Sequence, residues 1–157
     1  MEKVKYFDDK AYLTQNGQLY LEALAMSLGK VYDLNPNFRA EKSKTRRHLT
    51  EFWSVNPEAA FMTHSKSMDL QERMLVAIVK SVLASCSTEL KLLERDTRHL
   101  ETTAQGNFPR LTYDETVAKL KTLGSDINYG EDFGNDDETM LTKEYDRPIF
   151  VERWPKT

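Results

Sequence analysis

The sequence predicts an α+β fold in which helices lie beside antiparallel strands, and three stretches carry that expectation. Residues 49–55 (LTEFWSV) alternate with period two and are rich in β-formers. Residues 68–83 set Leu70, Met74, Ile78 and Val82 on one stripe, the spacing of an amphipathic core-packing helix. Thr112-Tyr113-Asp114-Glu115 matches a capping box and opens a further helix that Gly124 closes. With 157 residues, 39% of them hydrophobic, there is enough chain for one globular core.

Taken in order, residues 1–10 are a charged lead-in with nothing apolar enough to begin a fold alone. Residues 11–14 (AYLT) read as a short strand, and residues 15–18 (QNGQ) as a turn. Leu21, Leu24, Ala25 and Leu28 recur at helical spacing over residues 19–28, and Gly29 supplies the stop. Residues 31–34 lead into a strand–loop–strand unit, with Pro36 tolerable at a strand start or bulge. Asn56-Pro57-Glu58 then breaks the strand pattern. Beyond the helix at 68–83, residues 88–100 predict a second, mostly charged and exposed helix. Residues 104–109 read as a loop, 110–112 as a brief strand and 148–154 (PIFVERW) as a closing strand. Residues 129–138 (YGEDFGNDDE) are glycine-containing and acidic; the acidic segment 131–138 invites a metal reading, but a solvated loop and helix cap fits it better.

Composition excludes several classes. A net charge of −3 rules out a protein that coats polyanions generally, so positive charge matters only where it clusters. The single cysteine, Cys86, excludes an internal disulfide and fits a reducing cytosol; amid apolar helix-like sequence it reads as a packed thiol. No apolar run approaches a membrane span and the start lacks an apolar signal region, which predicts a soluble, cytoplasmic protein with no membrane partner. His48, His64 and His99 show no metal-ligand spacing, so no metal-binding residue is assigned.

The chemistry concentrates in residues 38–52 (FRAEKSKTRRHLTEF), a short alternating segment, a basic loop and a second alternating segment. Strand geometry sets Phe38 and Ala40 on one face and Arg39 and Glu41 on the other, with Thr50, Phe52 and Ser54 available on the neighbouring strand. A guanidinium, a carboxylate, an aromatic ring and a cationic loop suit a nucleotide: the arginine for a phosphate, the ring for a base, the loop for the remaining charge. The same residues admit a plainer reading, with Arg39 and Glu41 as an ion pair, Phe52 in the core and KSKTRRH as a solvated turn.

The runs YLTQNGQLYLEAL and VYDLNPNFRAEKSKTRRHLTEFW, together with the tail YGEDFG followed by PIFVERWP, resemble the class II aminoacyl-tRNA synthetases of the aspartyl/asparaginyl group. FRAE…RHL.EF is similar to that group's second signature motif, and the resemblance spans nearly the whole chain. The asparaginyl type is the better match. The aspartyl type resembles QLYK, whose lysine meets a substrate carboxylate; here Leu21 takes that place and Glu22 follows. A buried carboxylate at Glu22 would repel aspartate but accept hydrogen bonds from the asparagine amide.

The resemblance implies an antiparallel-sheet catalytic domain and an ATP-dependent asparagine–tRNA ligase. Arg39 would grip the ATP α-phosphate and the substrate carboxylate as the catalytic residue. Glu41 would sit near the adenine amino group, His48 near the outer phosphates and Phe52 stacked on adenine. Gln18, Glu22 and Asn56 would face the amino acid. The family usually has a carboxylate at the position of Asn56, which brings a hydrogen-bond acceptor but no charge. Implied partners are asparagine, ATP, magnesium and tRNA(Asn), with the full-length family member a homodimer. The first and third signature motifs and the anticodon-binding domain are not found in residues 1–157, and the principal magnesium ligand is expected outside them. The chain is therefore expected to be a partial catalytic domain, inactive alone. The alternatives are an aspartyl enzyme or asparagine-synthetase-like paralogue using the same adenylation site, and a non-catalytic remnant that binds a partner through sheet edges or the basic hairpin.

Overall fold

The computed structural model describes residues 3–40 and 48–156, and the chain divides into two units, Met1–Thr63 and His64–Thr157. In the first unit, β1 (Lys3–Tyr6) and β2 (Asp9–Tyr12) pair antiparallel, from Lys3↔Tyr12 to Tyr6↔Asp9. The charged lead-in is thus a strand after all. A tight hairpin closes on local backbone hydrogen bonds, and Phe7 takes the positive φ (53°) that its two-residue turn demands.

Helix α1 (Gln18–Leu28) begins after Gly17, with Gln18 N donating to Asn16 Oδ1 (3.1 Å). It ends at Gly29, whose φ of 80° and N–H bond to Ala25 O form the expected left-handed stop. Only Leu21 and Ala25 of its apolar stripe are buried; Leu24 and Leu28 face outward.

Two nine-residue strands, β3 (Lys30–Phe38) and β4 (Glu51–Ala59), pair antiparallel without a bulge, from Lys30↔Ala59 to Phe38↔Glu51. Both prolines run straight through, contrary to the sequence expectation of an interruption at Pro36 and a break at Asn56-Pro57-Glu58. The phase of the ladder explains this. Arg39 N donates to Thr50 O (2.9 Å) and Ala60 N to Gly29 O (2.8 Å), so odd residues of β3 and even residues of β4 form the hydrogen-bonded pairs. Pro36↔Trp53 and Tyr32↔Pro57 are the other kind, in which neither proline position owes the ladder an N–H.

The second unit opens with α2 (His64–Ser85), longer at both ends than its apolar stripe predicts. Met68 is its buried residue, whereas Ile78 in the stripe is exposed. Cys86 follows directly and is half-buried. The single helix expected over residues 88–100 is instead two, α3 (Ser87–Leu92) and α4 (Arg98–Thr103). Glu94 adopts a φ of 49°, Arg95 N reaches back to Leu90 O (2.9 Å), and Asp96 Oδ1 accepts from Arg98 N (3.1 Å) to restart the chain. The Arg98 guanidinium holds the Asp96 carboxyl well below the usual carboxylate range.

Strand β5 (Arg110–Thr112) leads into α5 (Tyr113–Thr122) through the capping box read from sequence. Glu115 N donates to Thr112 Oγ1 (3.2 Å), and Thr112 N donates to Glu115 Oε2 (2.8 Å). The Thr112 backbone N–H, and then the Thr112 hydroxyl that also donates to Glu115 Oε2 (2.8 Å), lower the Glu115 carboxyl below its ordinary value. In α6 (Asn135–Thr142), Asp136, Asp137 and Glu138 occupy the first turn, the favourable end of the helix dipole. The acidic run therefore serves as loop and helix start. Strand β6 (Phe150–Glu152) pairs parallel to β5. The core of this unit is Tyr113, Val117, Leu120, Ile127 and Leu141. Six helices and six strands among the described residues satisfy the α+β expectation. No described helix is long and apolar enough to cross a membrane.

Candidate functional site

In an antiparallel ladder, residues directly opposite each other share a face. The register therefore puts Asp33, Asn35, Asn37 and Arg39 on one face with Asn56, Ser54, Phe52 and Thr50. The opposite face carries Tyr32, Leu34, Trp53 and Val55, all exposed. The hairpin thus covers its polar side and leaves its apolar side open, the reverse of ordinary core packing. Helix α1 explains which side is covered. Gly17, at its start, lies so close to Asp33 that a Cβ there would overlap Asp33 Oδ2 and sit 2.9 Å from Asp33 Cγ.

Arg39 and Phe52 meet as the alternation predicts. The guanidinium carbon lies 5.4 Å from the Phe52 ring centroid, and Arg39 Nε donates to Gln15 O at 3.4 Å. Phe52 is half-buried and Arg39 exposed, so the contact is worth only about 0.5–1 kcal/mol and orients the arginine without sequestering it. Glu41 and the basic residues 42–47 lie outside the described residues. His48 is exposed just ahead of β4.

Gln18 and Glu22 stand one turn apart at the start of α1, with Gln18 Nε2 donating to Glu22 Oε1 (2.8 Å). Glu22 is exposed, which corrects the sequence expectation of a buried carboxylate. The buried neighbour is Leu21, which turns toward the interior with Ala25 and leaves position 22 facing outward.

Asn56 belongs to a chain of polar contacts that sequence reading missed. Its Nδ2 donates to Asp33 Oδ1 (2.7 Å) and to Asn35 Oδ1 (3.3 Å), and its Oδ1 accepts from Ser54 Oγ (3.1 Å). Ser54 Oγ in turn accepts from Asn37 Nδ2. Asn37 is fully buried, and its Oδ1 has no hydrogen-bond partner among the described residues. The signal was present in residues 31–38: Asp33, Asn35 and Asn37 alternate with Tyr32, Leu34, Pro36 and Phe38. Extended toward Arg39, that polar stripe is as regular as an apolar one.

The second unit has a cavity of about 510 Å³ lined by Asp69, Glu72, Arg73, Asn107, Phe108 and Arg110. Its charges are largely spent internally: Arg110 Nη2 donates to Asp69 Oδ1 (2.5 Å), and Asn107 N donates to Glu72 Oε1 (2.7 Å). His64 Nε2 lies 3.1 Å from Glu152 Oε2, and His99 Nδ1 lies 3.3 Å from Asp146 O. The described residues contain no cluster of three metal-ligating side chains.

The family model for class II tRNA synthetases (D, K and N) matches residues 1–157. Asparaginyl-tRNA synthetase from Pyrococcus horikoshii, solved with asparaginyl-adenylate, is 45% identical with a TM-score of 0.89, covering 96% of this chain and 34% of that one. The asparaginyl-tRNA synthetase of Entamoeba histolytica, also with asparaginyl-adenylate, is 29% identical with a TM-score of 0.80, covering 99% of this chain and 36% of that one. The aspartyl enzyme of Entamoeba histolytica is 31% identical with a TM-score of 0.70, over 85% of this chain and 28% of its own. The chain thus spans about a third of the length of the asparaginyl enzymes it matches.

Proposed function

Because the chain belongs to the class II tRNA synthetases of the D, K and N family, we propose that residues 1–157 are part of the catalytic domain of an asparagine–tRNA ligase. The observation that carries this reading is the polar inner face of β3–β4, where Arg39 stands over Phe52 (5.4 Å) at the end of a hydrogen-bonded polar row. Two further facts favour asparagine over aspartate. The identities of 42–45% are to the asparaginyl enzyme of Pyrococcus horikoshii, and the residue after Gln18-Leu19-Tyr20 is a buried leucine, with no ammonium to meet a side-chain carboxylate.

In this reading adenine stacks on Phe52, with Glu41 near its amino group. Arg39 spans the α-phosphate and the amino-acid carboxylate, and His48 attends the outer phosphates. Gln18, Glu22 and Asn56 border the amino acid. The asparagine carboxylate oxygen attacks the α-phosphorus in line; the bond to the bridging oxygen breaks and pyrophosphate leaves, and a terminal ribose hydroxyl of tRNA(Asn) then attacks the acyl carbon and AMP leaves. No covalent enzyme intermediate is required, so the side chains act by positioning and by stabilising charge. Magnesium would neutralise the phosphates. The described residues offer no ligand cluster for it. The parent enzyme is read as a cytoplasmic homodimer.

Titration of the 157-residue chain with magnesium ATP tests this directly. Phe52 and Arg39 contribute about 1–2 kcal/mol each, and about 4.1 kcal/mol corresponds to a 1 mM dissociation constant. The expected result is millimolar or weaker binding, with NMR shifts at Phe52 that vanish in Arg39→Ala. Binding unchanged in Arg39→Ala would refute the site.

A further inference from the structure

We propose that Asp33 receives the α-ammonium group of the amino acid and that Asn56 is its positioning residue. This rests on the reading of β3–β4 as an amino-acid-activating site. A primary ammonium carries three donors and a full charge, so its natural counterpart is a carboxylate with free lone pairs. Asn56 offers less: both hydrogens of its amide nitrogen are directed to Asp33 Oδ1 and Asn35 Oδ1, and its oxygen, already accepting from Ser54, keeps a single lone pair. It is also neutral.

Asp33 has what Asn56 lacks. It accepts a hydrogen bond from Asn56 (2.7 Å) and forms no ion pair among the described residues. It is only partly exposed. Its second oxygen projects to the start of α1, where only a glycine at position 17 leaves it room. That places it beside Gln18. Along the strand, four residues separate the Asn37↔Phe52 pair from the Asp33↔Asn56 pair, a span of about 13 Å. An extended aminoacyl adenylate bridges such a gap with its base on Phe52 and its amino acid over Asp33. Glu58, the other acid on this face, lies a further two residues along, opposite Val31.

A purely structural role for Asp33, holding Asn56 and the α1 terminus, would make no distinction between ligands with and without an amino group. The experiment therefore uses two non-hydrolysable analogues, asparaginyl sulfamoyl adenosine and its des-amino succinamoyl counterpart, titrated into the 157-residue chain by NMR. The chain is expected to prefer the amino-bearing analogue by about 10- to 100-fold. Asp33→Asn should abolish that preference by weakening the asparaginyl analogue alone; if its circular dichroism shows unfolding, Asp33→Ser is read in its place. A preference that survives in the variant, or an equal loss for both analogues, overturns the assignment of Asp33 while leaving the activation site standing. Failure of the unsubstituted chain to bind either analogue overturns the activation reading and Asp33's role with it.

Discussion

Replacing Gly17 by alanine tests how α1 seats on the hairpin. Gly17 has φ −97°, ordinary for any residue, so the constraint is space and not backbone conformation. A new Cβ would overlap Asp33 Oδ2, lie 2.9 Å from Asp33 Cγ and 3.4 Å from Asn35 Nδ2. Asp33 cannot swing away freely, because Asn56 Nδ2 holds its other oxygen at 2.7 Å. Relief requires either a backbone shift, costing about 1–3 kcal/mol, or loss of a hydrogen bond to a charged group, about 1.5–3 kcal/mol. The loss of a glycine cap alone accounts for less, under about 1 kcal/mol. Urea unfolding of Gly17→Ala, Asp33→Ala and the double variant separates these contributions, since truncating Asp33 removes the obstructing atoms. The expected coupling is at least 1 kcal/mol in favour of the double variant. If Gly17→Ala costs the same with and without Asp33, the close approach does not exist in solution.

Three other outcomes are expected. Tyr113→Phe should destabilise the second unit by about 1–3 kcal/mol, because the buried hydroxyl donates to Glu131 O (2.7 Å) and accepts from Gly130 N (2.9 Å); chemical denaturation followed by amide exchange at Gly130 reads it, and an unchanged midpoint contradicts it. The Glu115 carboxyl is lowered chiefly by the Thr112 backbone N–H and then by the Thr112 hydroxyl. A depressed folded value means that this stabilisation is complete above the ordinary 4.5 and fades as pH falls through the lower folded value. The stability gap between the chain and Glu115→Gln should therefore be constant near neutrality and close on acidification; a gap that widens with acid refutes the capping role. Glu22 is exposed and accepts from Gln18 Nε2, so its charge acts through solvent: Glu22→Gln should narrow the preference for asparaginyl over aspartyl adenylate analogues by less than about 1 kcal/mol, and equal discrimination in both forms removes Glu22 from specificity.

What could be read from sequence was what local chemistry decides. The Thr112–Glu115 box and the glycine stops at Gly29 and Gly124 depend on residues within one helical turn, and each stands where it was expected. The passage of β3 and β4 through Pro36 and Pro57 was hidden because it depends on ladder phase, which only the partner strand supplies. The break between α3 and α4 was likewise masked, since charged residues with good helix propensity cover a turn set by Glu94 and Asp96. The site divides the same way. Arg39 and Phe52 belong to one ordered run of unusual residues, and their contact follows from the strand alternation. Asp33, Asn35 and Asn37 were passed over because asparagine and aspartate are poor strand formers, and only pairing with β4 turns them into a continuous polar face. The exposure of Glu22 is not legible in sequence because it depends on which side of α1 meets the hairpin.

The central claim, that the inner face of β3–β4 holds an asparaginyl adenylate, is tested most directly by mapping stable asparaginyl and aspartyl sulfamoyl adenosine analogues onto the chain by NMR. The account predicts that the asparaginyl analogue binds more tightly, with shifts concentrated at Asp33, Asn37, Phe52, Asn56 and the first turn of α1. Shifts confined to the opposite face around Trp53 and Val55, or equal affinity for the aspartyl analogue, would contradict it.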